Sequence, residues 1–215
     1  MPIEGGTPRA CFDVYREHVS KLLGKTLPTP EPVLFATARK DPTRGVLTLG
    51  PQSRSVTVLK SRTHGKVFFS LAQELCALSI EGGRWRLRTL SYWYKLFQRE
   101  PDPAAEPALR WEYVAEPPIG KQWCRHHFQI GRVDPPDGNA ALELAIGAGS
   151  VDLNRLHVPT GFVLMEYVLR FLISELGIAP PCGDTWPDVL LESENKFFRE
   201  FSPKTSRPRS SQGHA

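Results

Sequence analysis

Residues Arg84–Phe97 read R-W-R-L-R-T-L-S-Y-W-Y-K-L-F. Over 84–90, Trp85 and Leu87 alternate with Arg86 and Arg88; over 91–97, Tyr92, Tyr94 and Leu96 alternate with Trp93, Lys95 and Phe97. Successive side chains of a strand point to opposite faces, so this period-two pattern, rich in aromatics, predicts two β-strands. Similar signals lie on either side. Residues 33–37, 45–49, 55–59 and 66–70 are short apolar or β-branched runs, separated by turn signals such as Asp41-Pro42, Gly50-Pro51 and His64-Gly65. Residues 71–80 fit helix or strand equally, and Glu81-Gly82-Gly83 is a turn. Beyond a Pro-, Ala- and Glu-rich loop at 99–107, Leu109, Trp111 and Tyr113 alternate with Arg110 and Glu112. Residues 121–132 give a further strand, closed by the break Pro135-Pro136-Asp137-Gly138-Asn139.

Helical spacing occurs at both ends. Phe12, Tyr15, Val19, Leu22 and Leu23 predict a helix over 11–23, stopped by Gly24. Apolar residues from Phe162 to Leu176 predict a second, with Thr160 as N-cap, Gly177 at the C′ position and an ion-paired stripe of Glu166, Arg170 and Ser174 at its edge. Thr185-Trp186-Pro187-Asp188 resembles a capping box with proline in the first turn, opening a last helix. Strands first and helices at the ends imply an α+β fold, because parallel strands would need crossover helices between them. The expected architecture is a mostly antiparallel sheet with an N-terminal helix and two C-terminal helices packed on it. The expected organisation is an N-terminal helix in 1–26, one α+β domain over 27–201, and a disordered basic tail over 202–215.

Length and charge narrow the classes. The 215 residues suffice for one good core, and a net charge of +4 permits an anionic partner without requiring one. The longest apolar run is broken by Glu166, Arg170 and Glu175 and falls short of the roughly 20 residues that span a bilayer. The N-terminus carries no apolar run after a basic start. A cytoplasmic location, away from membranes, is therefore expected. Cys11, Cys76, Cys124 and Cys182 form no C-x-x-C pair, so zinc-ribbon and thioredoxin readings fail. No cofactor is expected.

The chemistry concentrates in Arg125-His126-His127-Phe128-Gln129-Ile130 and in Leu156-His157-Val158-Pro159-Thr160. On a strand, Arg125, His127 and Gln129 share one face while His126 takes the other, so adjacent histidines cannot readily hold one metal. His127 and His157 suggest a two-histidine phosphodiester site, one acid and one base, with Arg125 or Lys121 stabilising phosphate charge. A metal version recruiting Asp134, Asp137 or Asp152 lacks any H-x-H or D-x-D pattern. The bland alternatives are strand histidines, one packed and one solvated, and aromatics that form sheet core rather than a nucleic-acid stacking platform. A third reading is a nucleotide or small-ligand site at the helix N-terminus near Thr160.

The order Tyr92-Trp93-Tyr94-Lys95-Leu96, Arg110-Trp111-Glu112, Arg125-His126-His127-Phe128-Gln129 and a closing helix resembles prokaryotic toxins of the TumE type over about residues 85–177. Those proteins pair with an adjacent antitoxin. The resemblance implies a toxin-like activity directed at RNA, with Tyr94, Arg110, Glu112 and His127 as its site residues and a protein antitoxin as partner. The family-like pattern carries Asp where Glu112 stands and H-x-H where His126-His127 stands. A non-catalytic protein-interaction module is the rival expectation. Substrate and oligomeric state are not legible.

Overall fold

The computed structural model describes residues 3–51, 55–102, 105–116, 125–131, 145–146, 149–150 and 157–201. Its strands are β1 (Glu4–Gly5), β2 (Val33–Ala38), β3 (Asp41–Leu49), β4 (Thr57–Ser61), β5 (Gly65–Ile80), β6 (Arg84–Phe97), β7 (Leu109–Val114), β8 (His126–Ile130), β9 (Ala145–Ile146), β10 (Gly149–Ser150) and β11 (His157–Pro159). Its helices are α1 (Pro8–Thr26), α2 (Met165–Ser174) and α3 (Trp186–Phe201). Nine strands form one open sheet in the order β11-β8-β7-β6-β5-β3-β2, with β1 beside β6 and β4 beside β5. Every pairing in it is antiparallel. The fold is thus α+β, with one N-terminal and two C-terminal helices, as the pattern of elements implied.

The β5–β6 hairpin is the spine. Residues 71–80 are the second half of the 16-residue β5. That segment fits two periodicities, and its environment chooses between them. It pairs with β3 on one edge, from Thr48 opposite Ala72 to Arg44 opposite Cys76, and with β6 on the other. Further along, β4 takes over the same edge of β5, from Thr57 opposite Phe69 to Ser61 opposite Gly65. A ladder on both sides satisfies every backbone polar group that a strand there presents. At the far end Gly82 and Gly83 turn the chain with φ of 76° and 68°, a region that costs residues with a Cβ.

β6 is also continuous where the sequence suggests two strands. Its partner register steps from Glu74 opposite Ser91 to Leu75 opposite Thr89, so Leu90 is an extra, bulged residue. The Leu90 carbonyl accepts from Ala115 N–H at 2.8 Å. The bulge changes the parity of the strand. Leu87 before it and Tyr92, Tyr94 and Leu96 after it all enter the core that the helices cover. Without the extra residue, the two apolar rows would lie on opposite faces.

The helices cover one face. Thr7 caps α1 by accepting from Ala10 N–H at 3.1 Å, and Cys11, Phe12, Tyr15, Val19, Leu22 and Leu23 are buried beneath it. Gly24 does not stop the helix, which continues to Thr26. A helical glycine costs only about 1 kcal/mol, and the fully buried Leu27 just beyond anchors the end.

α2 starts at Met165, three residues later than the apolar pattern suggests, with Leu164 at its N-cap and no side-chain cap. Thr160 is therefore not the cap. Its backbone N–H instead donates to the His126 carbonyl at 3.1 Å, extending the β8–β11 edge, and its buried hydroxyl has no partner among the described residues. Gly177 does close the helix. It takes φ of 64°, and Ile178 N–H returns to the Leu172 carbonyl at 3.1 Å. The tail at 202–215 lies outside the described residues.

The hairpin turn yields a clean prediction. A Cβ at Gly83 would meet nothing within 4 Å, so only its φ of 68° resists substitution. Gly83→Ala should lower unfolding stability by about 1–2 kcal/mol, while Gly6→Ala, also in open space and without a positive φ, leaves it within about 0.5 kcal/mol. Urea unfolding of both variants decides; equal midpoints would contradict the left-handed turn.

Candidate functional site

The face of the sheet away from the helices carries the charged block. β7 and β8 pair with Glu112 opposite His127 and Arg110 opposite Gln129. On the same strands Trp111, Tyr113, His126 and Phe128 take the helix side. Tyr113 stacks on His126 at 4.5 Å with the rings 10° from parallel, and Trp111 meets Phe128 at 5.2 Å. Strand alternation alone thus separates the two histidines. Burial and the Arg125 charge push His126 below its ordinary value, as an apolar stack should.

His127 Nε2 donates to Glu112 Oε2 at 2.9 Å, and Arg110 Nε lies 3.1 Å from Glu112 Oε1. Arg110 also donates through its terminal nitrogen to Gln129 Oε1. One carboxylate is therefore held between a guanidinium and an imidazole. Access differs within the block. The His127 side chain is 5% exposed, that of Glu112 25% and that of Arg110 27%. Glu112 reaches a depression of about 420 Å³ that Arg44, Glu74, Trp93 and Glu116 also line. Any reagent arriving from solvent would meet Glu112 and Arg110 before His127.

The next strand carries the second candidate histidine. β11 pairs with β8 so that Pro159 lies opposite His127 and His157 opposite Gln129. Backbone positions two residues apart on neighbouring strands lie about 7–8 Å from one another. The register therefore brings His157, Arg110, Glu112 and His127 into one block of three adjacent strands. Arg125 is exposed and precedes β8. Lys121, Asp134, Asp137 and Asp152 lie outside the described residues. Among the described residues no group of three or more His, Cys, Asp or Glu side chains is placed to hold a metal.

Tyr94 belongs elsewhere. It is 1% exposed on the helix side, where Gln73 Nε2 donates to its hydroxyl at 2.8 Å. The same parity that points Arg110 and Glu112 outwards points Tyr94 inwards, so it cannot share their site. Of the aromatics in β6, Tyr92 and Tyr94 are core, and Trp93 pairs its row with Glu112 and lies 6.0 Å from Lys95 Nζ. Phe97 shares the row of Trp93 but is buried, so among the described β6 aromatics of that face only Trp93 is partly open. Thr160 gives no helix N-terminal site, since α2 begins five residues further on.

A second polar group lies inside. Tyr15 donates to Gln73 Oε1 at 2.7 Å, and Gln73 passes the chain on to Tyr94. Beside them Ser193 donates to Glu166 Oε1 and lies 2.9 Å from His18 Nε2. Glu166 is only 4% exposed, which corrects the expectation of a stripe at the edge. Arg170, by contrast, is partly exposed and ion-paired, donating to Glu194 on α3 at 2.8 Å and lying over the Trp186 ring. The stripe thus divides: Glu166 is buried towards α3, while Arg170, paired with Glu194, and the exposed Ser174 remain at the edge. Sequence reading missed this group because Ser193 and His18 sit on separate helices with no local motif.

Burial raises Glu166 above its ordinary value of 4.5, with Glu194 adding to the effect. The folded state then binds a proton more tightly than the unfolded chain. The stabilising contribution is full below about 4.5 and is lost as pH rises through the raised value. Glu166→Gln should remove that loss. Urea midpoints measured from pH 4 to 8 are expected to fall less steeply on the alkaline side in the variant; parallel curves would refute a buried, proton-favouring Glu166.

Compared with protein families, curated proteins and solved structures, the chain matches no family model, no curated sequence and no solved structure.

Proposed function

We propose that this chain acts on a phosphodiester, with RNA as the substrate class, as a toxin-like protein that a protein antitoxin holds in check. The observation that carries the reading is the cross-strand register. It gathers Arg110, Glu112 and His127 into one block, the carboxylate ion-paired to Arg110 and hydrogen-bonded to His127, with the strand of His157 beside it. Access suggests the roles. Glu112 is the base, since it is the partly exposed carboxylate. His127 is a positioning residue that fixes the orientation of that carboxylate by its hydrogen bond. Arg110 stabilises charge on the phosphate, and His157 supplies the acid.

Burial of His127 favours a second reading, a non-catalytic protein-interaction module. There the Glu112–His127 and Arg110–Gln129 hydrogen bonds only hold β7 to β8, as cross-strand pairs do in many sheets.

Expression of the wild type, Glu112→Gln and a His127→Ala/His157→Ala double variant, with growth, total RNA and thermal melting followed together, separates the two. The catalytic reading expects growth arrest and RNA loss from the wild type, slowed about 100-fold or more by Glu112→Gln at little change in melting temperature. Equal RNA and growth in all three, with melting lowered in the variants, would sink it and leave the module.

A further inference from the structure

We propose that His18, Ser193 and Glu166 form a proton relay that links a groove between α1 and α3 to the buried interior. Each residue comes from a different helix, and a single chain of hydrogen bonds joins them: His18 Nε2 to Ser193 Oγ at 2.9 Å, and Ser193 Oγ to Glu166 Oε1. His18 lines both the groove of about 150 Å³ and the small cavity beneath it. Ser193 lines the groove, and Glu166 lines the cavity with Tyr15, Gln73 and Tyr94.

The order of the three residues decides what they can do. In a nucleophilic triad the imidazole stands between the hydroxyl and the carboxylate. Here the hydroxyl stands in the middle, so the carboxylate cannot orient the imidazole and serine is not activated as a nucleophile. A hydroxyl between two such groups instead passes hydrogens. Ser193 owns one hydrogen and can also accept. When Glu166 is ionised, Ser193 donates to it, and His18 must donate from Nε2 to the Ser193 oxygen. When Glu166 is protonated, it donates to Ser193, and Ser193 donates to a His18 that carries its hydrogen on Nδ1.

The step between the two arrangements balances. Ser193 Oγ–H breaks as Glu166 Oε1–H forms. His18 Nε2–H breaks as a new Ser193 Oγ–H forms. Nδ1 takes one proton from solvent through the groove. The net change is one proton delivered to a buried carboxylate and one switch of imidazole tautomer, with no charge left on the histidine.

The surroundings suit a neutral carrier. Burial, with the charges of Lys196 and Lys21, pushes His18 down to about 4, so the imidazole stays neutral where Glu166 titrates above its usual range. From α1, Tyr15, His18 and Lys21 face the chain; from α3, Glu192, Glu194 and Lys196 do; from α2, Arg170 lies nearby on Glu194. Among the described residues the sheet adds Gln73, Thr89 and Tyr94, all uncharged at neutral pH.

Nitrogen-15 shifts of the His18 ring and the carbon-13 shift of the Glu166 carboxyl, followed by NMR from pH 4 to 9 on the full chain, test this. The wild type should show an Nδ1–H to Nε2–H switch at the pH where Glu166 loses its proton. Ser193→Ala should abolish the switch while Glu166 still titrates, and Glu166→Gln should leave the tautomer constant with pH. A His18 tautomer that stays fixed through the wild-type Glu166 titration, or a switch that survives in Ser193→Ala, overturns the relay.

Discussion

Everything in this structure depends on the parity of the β5–β6 hairpin. A strand has two faces, and a residue's side is fixed by counting from its neighbours. β6 contributes thirteen registered partners to β5, from Phe97 opposite Phe68 to Arg84 opposite Ile80. One extra residue, Leu90, lets Leu87 and Tyr92 enter the same core. β7 then copies its parity from the second half of β6, with Tyr94 opposite Trp111, and β8 copies it from β7, with Trp111 opposite Phe128. The inward aromatics and the outward Arg110, Glu112 and His127 are two consequences of one count.

The two faces solve different problems. On the helix side, Tyr92, Tyr113, His126 and Phe162 pack ring against ring, with Tyr92 and Phe162 edge-on at 5.4 Å. The polar atoms admitted there are tied: the Tyr92 hydroxyl accepts from Val163 N–H at 2.9 Å, and Tyr15, Gln73 and Tyr94 satisfy one another. Burial consequently raises the phenols well above their ordinary value. On the outer side of β7 and β8, Glu112 pairs with Arg110 along its own strand and with His127 across to the next, and it stays within reach of solvent. No described helix is long and apolar enough to cross a membrane.

Glu166 and Glu112 show how placement changes the meaning of one residue type. Glu112 has two cationic or imidazole partners and partial exposure. Glu166 has a serine, a nearby carboxylate and almost no exposure, and it favours the proton. The former sits partly exposed between Arg110 and His127, while the latter holds its proton inside. Nothing in the local sequence around either carboxylate distinguishes them.

The sequence by itself determined the fold class, most strands, all three helices and the separation of His126 from His127. Those follow from periodicity and local chemistry: alternation in β7 and β8, spacing in α1, glycine after α2. Tertiary structure decided the rest. It made residues 71–80 a strand, because β3 and β6 lie along its two edges and pair with it there. It joined β6 through a bulge whose pairing partner lies on another strand. It carried α1 past Gly24, delayed α2 to Met165 and denied Thr160 its cap. It turned Glu166 inwards towards Ser193 and His18, which no spacing rule connects. It also sent Tyr94 away from Arg110, Glu112 and His127, and paired the strand that carries His157 with β8. Register between distant strands is a property of the assembled sheet, and a chain read one residue at a time does not contain it.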